Sequence, residues 1–199
     1  MLRSGPLLFA TAFLGSTSLP VMPDAPITPT PYLIDNNIVP KIDCGKWMGT
    51  GVYVGDGLVA TARHVIAEGP CLVDGARAKV VGGVRHRDFV LLKVKTVVAY
   101  RALLDCSGIH EGQAYLATGF AEDAPRTVTQ RLTGSSAKST EKGFEGETVM
   151  RGSITQGMSG GPVVDASTGA LVAIINANSG DGVTQSLVFP ISETPLCRR

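Results

Sequence analysis

From Gly51 to Ile191 the chain alternates short runs of Val, Leu, Ile and Thr with turn-forming Gly, Asp, Ser and Pro, and no stretch keeps a helical period. Apolar residues at every second position suit a strand with one buried face; a helix needs them three and four apart over ten or more residues. The pattern predicts strands at 51–54, 58–62, 78–84, 89–94, 96–100, 113–119, 127–132, 148–152, 162–165, 170–176 and 186–191. Gly55-Asp56-Gly57 between the first two is a strong hairpin signal. Only 65–68 and the last few residues offer a turn of helix. Many short strands without helices argue for a barrel or a sandwich. A break at 107–112 divides this body into two comparable halves, each large enough for a small closed barrel.

The N-terminal part has a different composition. Met1-Leu2-Arg3 carries a positive charge, residues 6–15 are an apolar run too short to span a bilayer, and Ser16, Thr17 and Ser18 follow. This is the layout of a secretory signal peptide, expected over 1–18 with cleavage after Ser18. Five of the twelve prolines then fall at Pro20, Pro23, Pro26, Pro29 and Pro31. Proline at that density removes backbone donors and favours extended geometry, which predicts a linker or wrapped arm over 19–40, with the folded body beginning near residue 40. Export to the exterior or periplasm is the expectation. The alternative is release from a viral or larger precursor.

Lys and Arg number 18 against 17 Asp and Glu, a net charge of +1, and no basic patch stands out. Binding to nucleic acid or to a membrane surface therefore has little support, and no stable membrane span is expected in the mature form. The four cysteines, Cys44, Cys71, Cys106 and Cys197, are widely spaced and form no CxxC pair, so neither a zinc site nor a redox motif is expected. In an exported protein two disulfides are the natural outcome. Three pairings are possible. Cys44 with Cys71 would brace the segments around His64, and Cys106 with Cys197 would tie the C-terminus back. Four reduced, buried thiols become the better reading in a reducing compartment.

Three places carry chemistry. Near the C-terminus the chain reads Gly157-Met158-Ser159-Gly160-Gly161-Pro162 between two apolar segments. A serine hydroxyl is a poor nucleophile unless a tight turn holds it beside a base, and glycines at these spacings permit such a turn. Upstream, His64 follows an apolar strand in Thr61-Ala62-Arg63-His64-Val65. Asp88 heads the apolar run Asp88-Phe89-Val90-Leu91-Leu92. Alone, each has a bland explanation: a hairpin loop, a structural histidine, a turn aspartate. Their joint occurrence in the order His, Asp, Ser does not.

Over roughly 41–195 these segments resemble the chymotrypsin-fold, trypsin-like serine proteases, a superfamily that includes secreted bacterial, HtrA-type and viral members. The resemblance rests on the TAxH, D-hydrophobic and GxSGGP blocks just quoted. It implies an all-β fold of two packed antiparallel Greek-key barrels, about 41–108 and 109–199, with the active site in the cleft between them. It further implies a polypeptide substrate, a triad of His64, Asp88 and Ser159, an oxyanion hole from the Gly157 and Ser159 N–H groups, and no cofactor or metal.

In the digestive enzymes the residue before the nucleophile is an aspartate that pairs with a freed N-terminus. Here it is Met158, so no such ion-pair switch is expected. Family spacing puts the base of the primary pocket at Ser153, its wall near Asn176, Ala177 and Asn178, and a further position at Ser186. With no acid among them, a small or moderately polar substrate side chain is expected. Ser135-Ser136-Ala137-Lys138 matches an SxxK spacing in a polar loop rather than at a helix start, and is read as chance. His86 and His110 read as loop histidines. Against the active endopeptidase stands an idle protein-binding module on the same fold, since fold alone does not establish activity.

Overall fold

The computed structural model describes residues 36–95, 99–122, 124, 126–179 and 184–198. The signal peptide and most of the proline-rich arm expected from the sequence lie outside the described residues. Thirteen strands follow: β1 Lys41–Asp43, β2 Met48–Thr50, β3 Val52–Gly55, β4 Leu58–Thr61, β5 Leu72–Val73, β6 Ala76–Gly83, β7 Val90–Val94, β8 Ala114–Phe120, β9 Thr127–Thr133, β10 Thr148–Arg151, β11 Pro162–Asp165, β12 Leu171–Asn178 and β13 Gln185–Pro190. Among the described residues the only helical pieces are short 3-10 turns, one of them Arg63–Ile66. Most strands fall within two residues of their predicted positions. The strand expected at 96–100 lies mostly outside the described residues, and β1, β2 and β5 were not expected.

The architecture is all-β and matches the two-barrel expectation. The C-terminal half closes into a barrel in the order β10-β13-β12-β11-β8-β9. The N-terminal half is a sheet in the order β2-β1-β5-β6-β7-β4-β3. Its two end strands, β2 and β3, are consecutive in the chain with Gly51 alone between them, so the sheet curls back on itself. Every named strand pair is antiparallel.

Three apolar clusters account for the packing. Ile42, Tyr53, Val59, Val73, Leu92 and Val94 fill the first half. Tyr115, Leu132, Met150, Val163, Val172 and Ile175 fill the second. A third cluster joins Val52, Ala60, Phe89 and Leu91 to Val164, Ile174 and Phe189, and welds the halves together. Strand β7 shows why its sequence is nearly all apolar: Val90 and Leu92 face the interior of the first half while Leu91 faces the junction. Two covered faces demand a continuous apolar run, and only Lys93 emerges to solvent. The disulfides Cys44–Cys71 and Cys106–Cys197 are both formed. The first closes the base of the N-terminal sheet; the second ties the C-terminal segment to the connection between the halves.

Candidate active site

Strand register delivers the first two residues to each other. β4 and β7 run antiparallel with Thr61 opposite Val90, so the chain just past β4 meets the chain just before β7. Past β4 the 3-10 turn presents His64; before β7 stands Asp88. The Asp88 carboxylate takes His64 at two points: Oδ2 lies 2.6 Å from ring Nδ1, and Oδ1 accepts the His64 backbone N–H at 2.9 Å. Arg63 stitches the same corner from outside, its guanidinium donating to the carbonyls of Val84, Arg87 and Phe89. The Asp88 side chain is mostly covered, at 12% exposure, whereas His64 at 45% opens to solvent. A covered carboxylate behind an open imidazole fixes the ring and leaves its far nitrogen to the cleft.

Ser159 arrives from the other half, on the turn that leads into β11. Thr50 is the anchor. Its N–H donates to the Ser159 carbonyl at 2.8 Å, and its hydroxyl donates to the Gly157 carbonyl at 2.9 Å. The same hydroxyl accepts the Phe120 N–H, and the Thr50 carbonyl accepts the Thr61 hydroxyl at 2.7 Å. One fully buried threonine of β2 thus fastens the serine turn to the strand that ends beside His64. Gly160 sits at φ +83°, a left-handed conformation, and a Cβ there would overlap the Thr61 hydroxyl and the Thr50 carbonyl. Only glycine fits.

The serine hydroxyl donates to the Asn176 carbonyl at 2.9 Å, and among the described residues no hydrogen bond joins it to His64. Gly157, at φ +92°, and Ser159 have backbone N–H groups that meet no acceptor among the described residues. Buried Met158 turns inward, its N–H on the Thr155 carbonyl and its sulfur near the Thr155 N–H.

The expected pocket residues divide. Ser186 donates to the Gly152 carbonyl at 2.7 Å. Asn178 bridges to Ile154, accepting its N–H at 3.0 Å and donating to its carbonyl at 2.8 Å. These bonds gather Ser153, Asn178 and Ser186 beside one another, with Ala177 opposite Leu187 in the β12–β13 ladder. Asn176 does not join them: the residue is fully buried, and its side chain donates to Glu147 Oε2 at 2.7 Å. His64 and Asp88 also line a groove of about 780 Å³, together with Ile66, Arg85, His86 and Phe144.

Sequence reasoning missed Glu147. It is 2% exposed, and burial pushes its carboxyl up to about 7, with nearby Asp88 and Glu193 acting in the same direction and Arg87 and the Asn176 bond opposing. A glutamate opening the strand at 148 was the available signal, but a carboxylate at a strand start normally faces water. Thr50 was missed too, because three of its four partners, Phe120, Gly157 and Ser159, lie far along the chain. Among the described residues no three His, Cys, Asp or Glu side chains are arranged to hold a metal ion. Nor is any described helix long and apolar enough to cross a membrane.

The two-barrel fold, with a paired histidine and aspartate on one half and a glycine-bracketed serine on the other, is that of the trypsin-like peptidases. The family comparison agrees: residues 49–174 match the trypsin-like peptidase domain, and the chain belongs to that family. The fold is shared with the Rv3671c protease of M. tuberculosis H37Rv in an inactive form, at 21% identity and a TM-score of 0.66 over 87% of this chain and 93% of that one. The HtrA-type protease AlgW, solved with a tripeptide, aligns at 24% identity and a TM-score of 0.65 over 79% of this chain and 60% of AlgW. The MamO protease domain of Magnetospirillum magneticum aligns at 22% identity and a TM-score of 0.62 over 78% of this chain and 92% of that one. No curated protein matches the chain.

Proposed function

We propose that the chain is a serine endopeptidase acting through Ser159, His64 and Asp88. The observation that carries this reading is the two-point grip of Asp88 on His64, which presets the imidazole with Nδ1 as donor and Nε2 as base. For attack the Ser159 hydroxyl exchanges the Asn176 carbonyl for His64 Nε2 as its acceptor. Ser159 Oγ then adds to the scissile carbonyl as its proton passes to His64, and the resulting imidazolium is stabilised by Asp88. The oxyanion is received by the Gly157 and Ser159 N–H groups, each worth about 2.7–4 kcal/mol to the transition state. Collapse breaks the C–N bond, and His64 gives its proton to the leaving amine. Water, deprotonated by the same histidine, hydrolyses the acyl-enzyme.

The primary pocket, with Ser153, Asn178 and Ser186 and no acid, receives a small or moderately polar side chain. The two disulfides support export to an oxidising compartment. Met158 removes the usual site for an N-terminal ion pair, so activity does not wait on a freed N-terminus. One observation favours a second reading, an idle polypeptide-binding module: the serine hydroxyl is bonded to Asn176 rather than His64. An activated ester separates the two. A burst of released alcohol followed by slower turnover, absent in Ser159→Ala, is the peptidase result; the same hydrolysis by wild type and variant refutes it.

A further inference from the structure

Behind the nucleophile lies a polar unit that the mechanism does not use. Glu147 and Asn176 are 2% and 0% exposed, and Asn176 Nδ2 donates to Glu147 Oε2 at 2.7 Å. The backbone carbonyl of the same asparagine takes the Ser159 hydroxyl. Asn176 Oδ1 is fully buried and has no hydrogen-bond partner among the described residues. A buried amide oxygen without a donor is costly, and native structures rarely leave one so. The neighbour bonded to the other end of that amide is a carboxyl, which becomes a donor when it holds a proton.

We propose that Glu147 is a positioning residue for the nucleophile: as a neutral acid it bonds both ends of the Asn176 side-chain amide, its O–H to Oδ1 and its carbonyl oxygen to Nδ2–H. This holds the Asn176 peptide from which Ser159 hangs, and it keeps a second negative charge away from Asp88. The proposal rests on the reading of Ser159 as nucleophile.

The surroundings fit a carboxyl held in one place. The backbone N–H of Glu147 donates to the Phe144 carbonyl, and its backbone carbonyl accepts the Ser139 N–H. Arg87, next to Asp88 in the chain, donates to the carbonyls of Glu145 and Gly146 and pairs with Glu193 while lying over the Phe189 ring. Lys138 reaches Thr148 and Glu193. The charged groups facing the carboxyl are therefore Arg87, Asp88 and Glu193, with Lys138 behind Glu193. Burial outweighs the arginine and favours the neutral acid up to about pH 7. Above that, an ionised Glu147 leaves Oδ1 without its donor and adds a second negative charge near Asp88.

The test uses the full chain in three forms: wild type, Glu147→Gln, whose amide reproduces both bonds of the neutral acid, and Glu147→Leu, which makes neither. Infrared difference spectra across a pH titration should show a protonated-carboxyl band lost near neutrality in the wild type and missing from E147Q. In kinetics, E147Q should retain kcat within about threefold and should lack the decline in kcat that the wild type shows as Glu147 ionises above about pH 7. E147L should lose roughly tenfold or more in kcat with KM little changed. The proposal is overturned if no such band exists, if the E147Q profile coincides with that of the wild type, or if E147Q falls as far as E147L. Should E147L not fold, the spectra and E147Q still decide. A wild type that neither hydrolyses peptide nor takes a serine-directed probe refutes the peptidase reading and the catalytic half of the proposal; the infrared titration then judges the Glu147–Asn176 pairing alone.

Discussion

Asp88 holds His64 by both its ring and its backbone, at 2.6 Å and 2.9 Å, and so fixes the tautomer and the position of the imidazole together. Asp88→Asn keeps the shape of the side chain but offers an N–H where Nδ1–H needs an acceptor. The ring then turns or takes the wrong tautomer. A fall in kcat on the order of ten-thousandfold is expected, with the fold intact by circular dichroism. A variant within tenfold of wild type would remove Asp88 from the mechanism.

Stability should carry the signature of Glu147. Its folded-state carboxyl is raised, so the neutral form is favoured on folding. The stability that this gives is fully present below the unfolded value, near pH 4.5, and is lost as pH rises through about 7. At about 1.4 kcal/mol per pH unit across the interval from 4.5 to about 7, the loss is on the order of 3–4 kcal/mol. Urea denaturation should therefore find Glu147→Gln close to wild type at pH 4.5 and progressively more stable than wild type towards pH 8. A difference that does not change with pH contradicts this.

The two disulfides should differ in worth. Cys44–Cys71 spans 27 residues and Cys106–Cys197 spans 91. Chain-entropy arithmetic gives about 3.6 and about 4.6 kcal/mol respectively. Paired alanine replacements compared by denaturant midpoints should show the larger loss for the second pair. The reverse order would mean that bracing the N-terminal sheet outweighs loop length.

Gly160→Ala should damage fold and function together. Its Cβ would press on Thr50 and Thr61 across the junction of the two halves, in a left-handed backbone. Overpacking costs roughly 1–3 kcal/mol, and left-handed strain adds about 1–2. A fall in Tm with loss of esterase activity is the expected outcome; an active, equally stable variant would show that the turn is looser than described.

How far the sequence revealed this molecule depends on the range of the interactions involved. Period-two patterning marked the longer strands because it is a local consequence of one face being buried. β1 and β2 escaped notice because Lys41-Ile42-Asp43 and Met48-Gly49-Thr50 are too short to establish a period. His64 and Ser159 stand out as candidates because each sits in a distinctive local segment, and Asp88 by its position between them. Thr50 and Glu147 could not: a threonine becomes a cross-barrel anchor, and a glutamate a buried acid, only when segments distant in the chain close around them. Asn176, expected to line the pocket, instead turns its side chain to Glu147, since a strand residue's facing depends on a register that sequence did not supply.

The central claim is that Ser159 is a nucleophile served by His64. Reaction of the mature protein with a fluorophosphonate, followed by peptide mass spectrometry, tests it most directly. The account predicts one adduct per chain, located on Ser159, lost in Ser159→Ala and strongly slowed in His64→Ala. A folded wild type that remains unlabelled, or labelling that survives in Ser159→Ala, would contradict it.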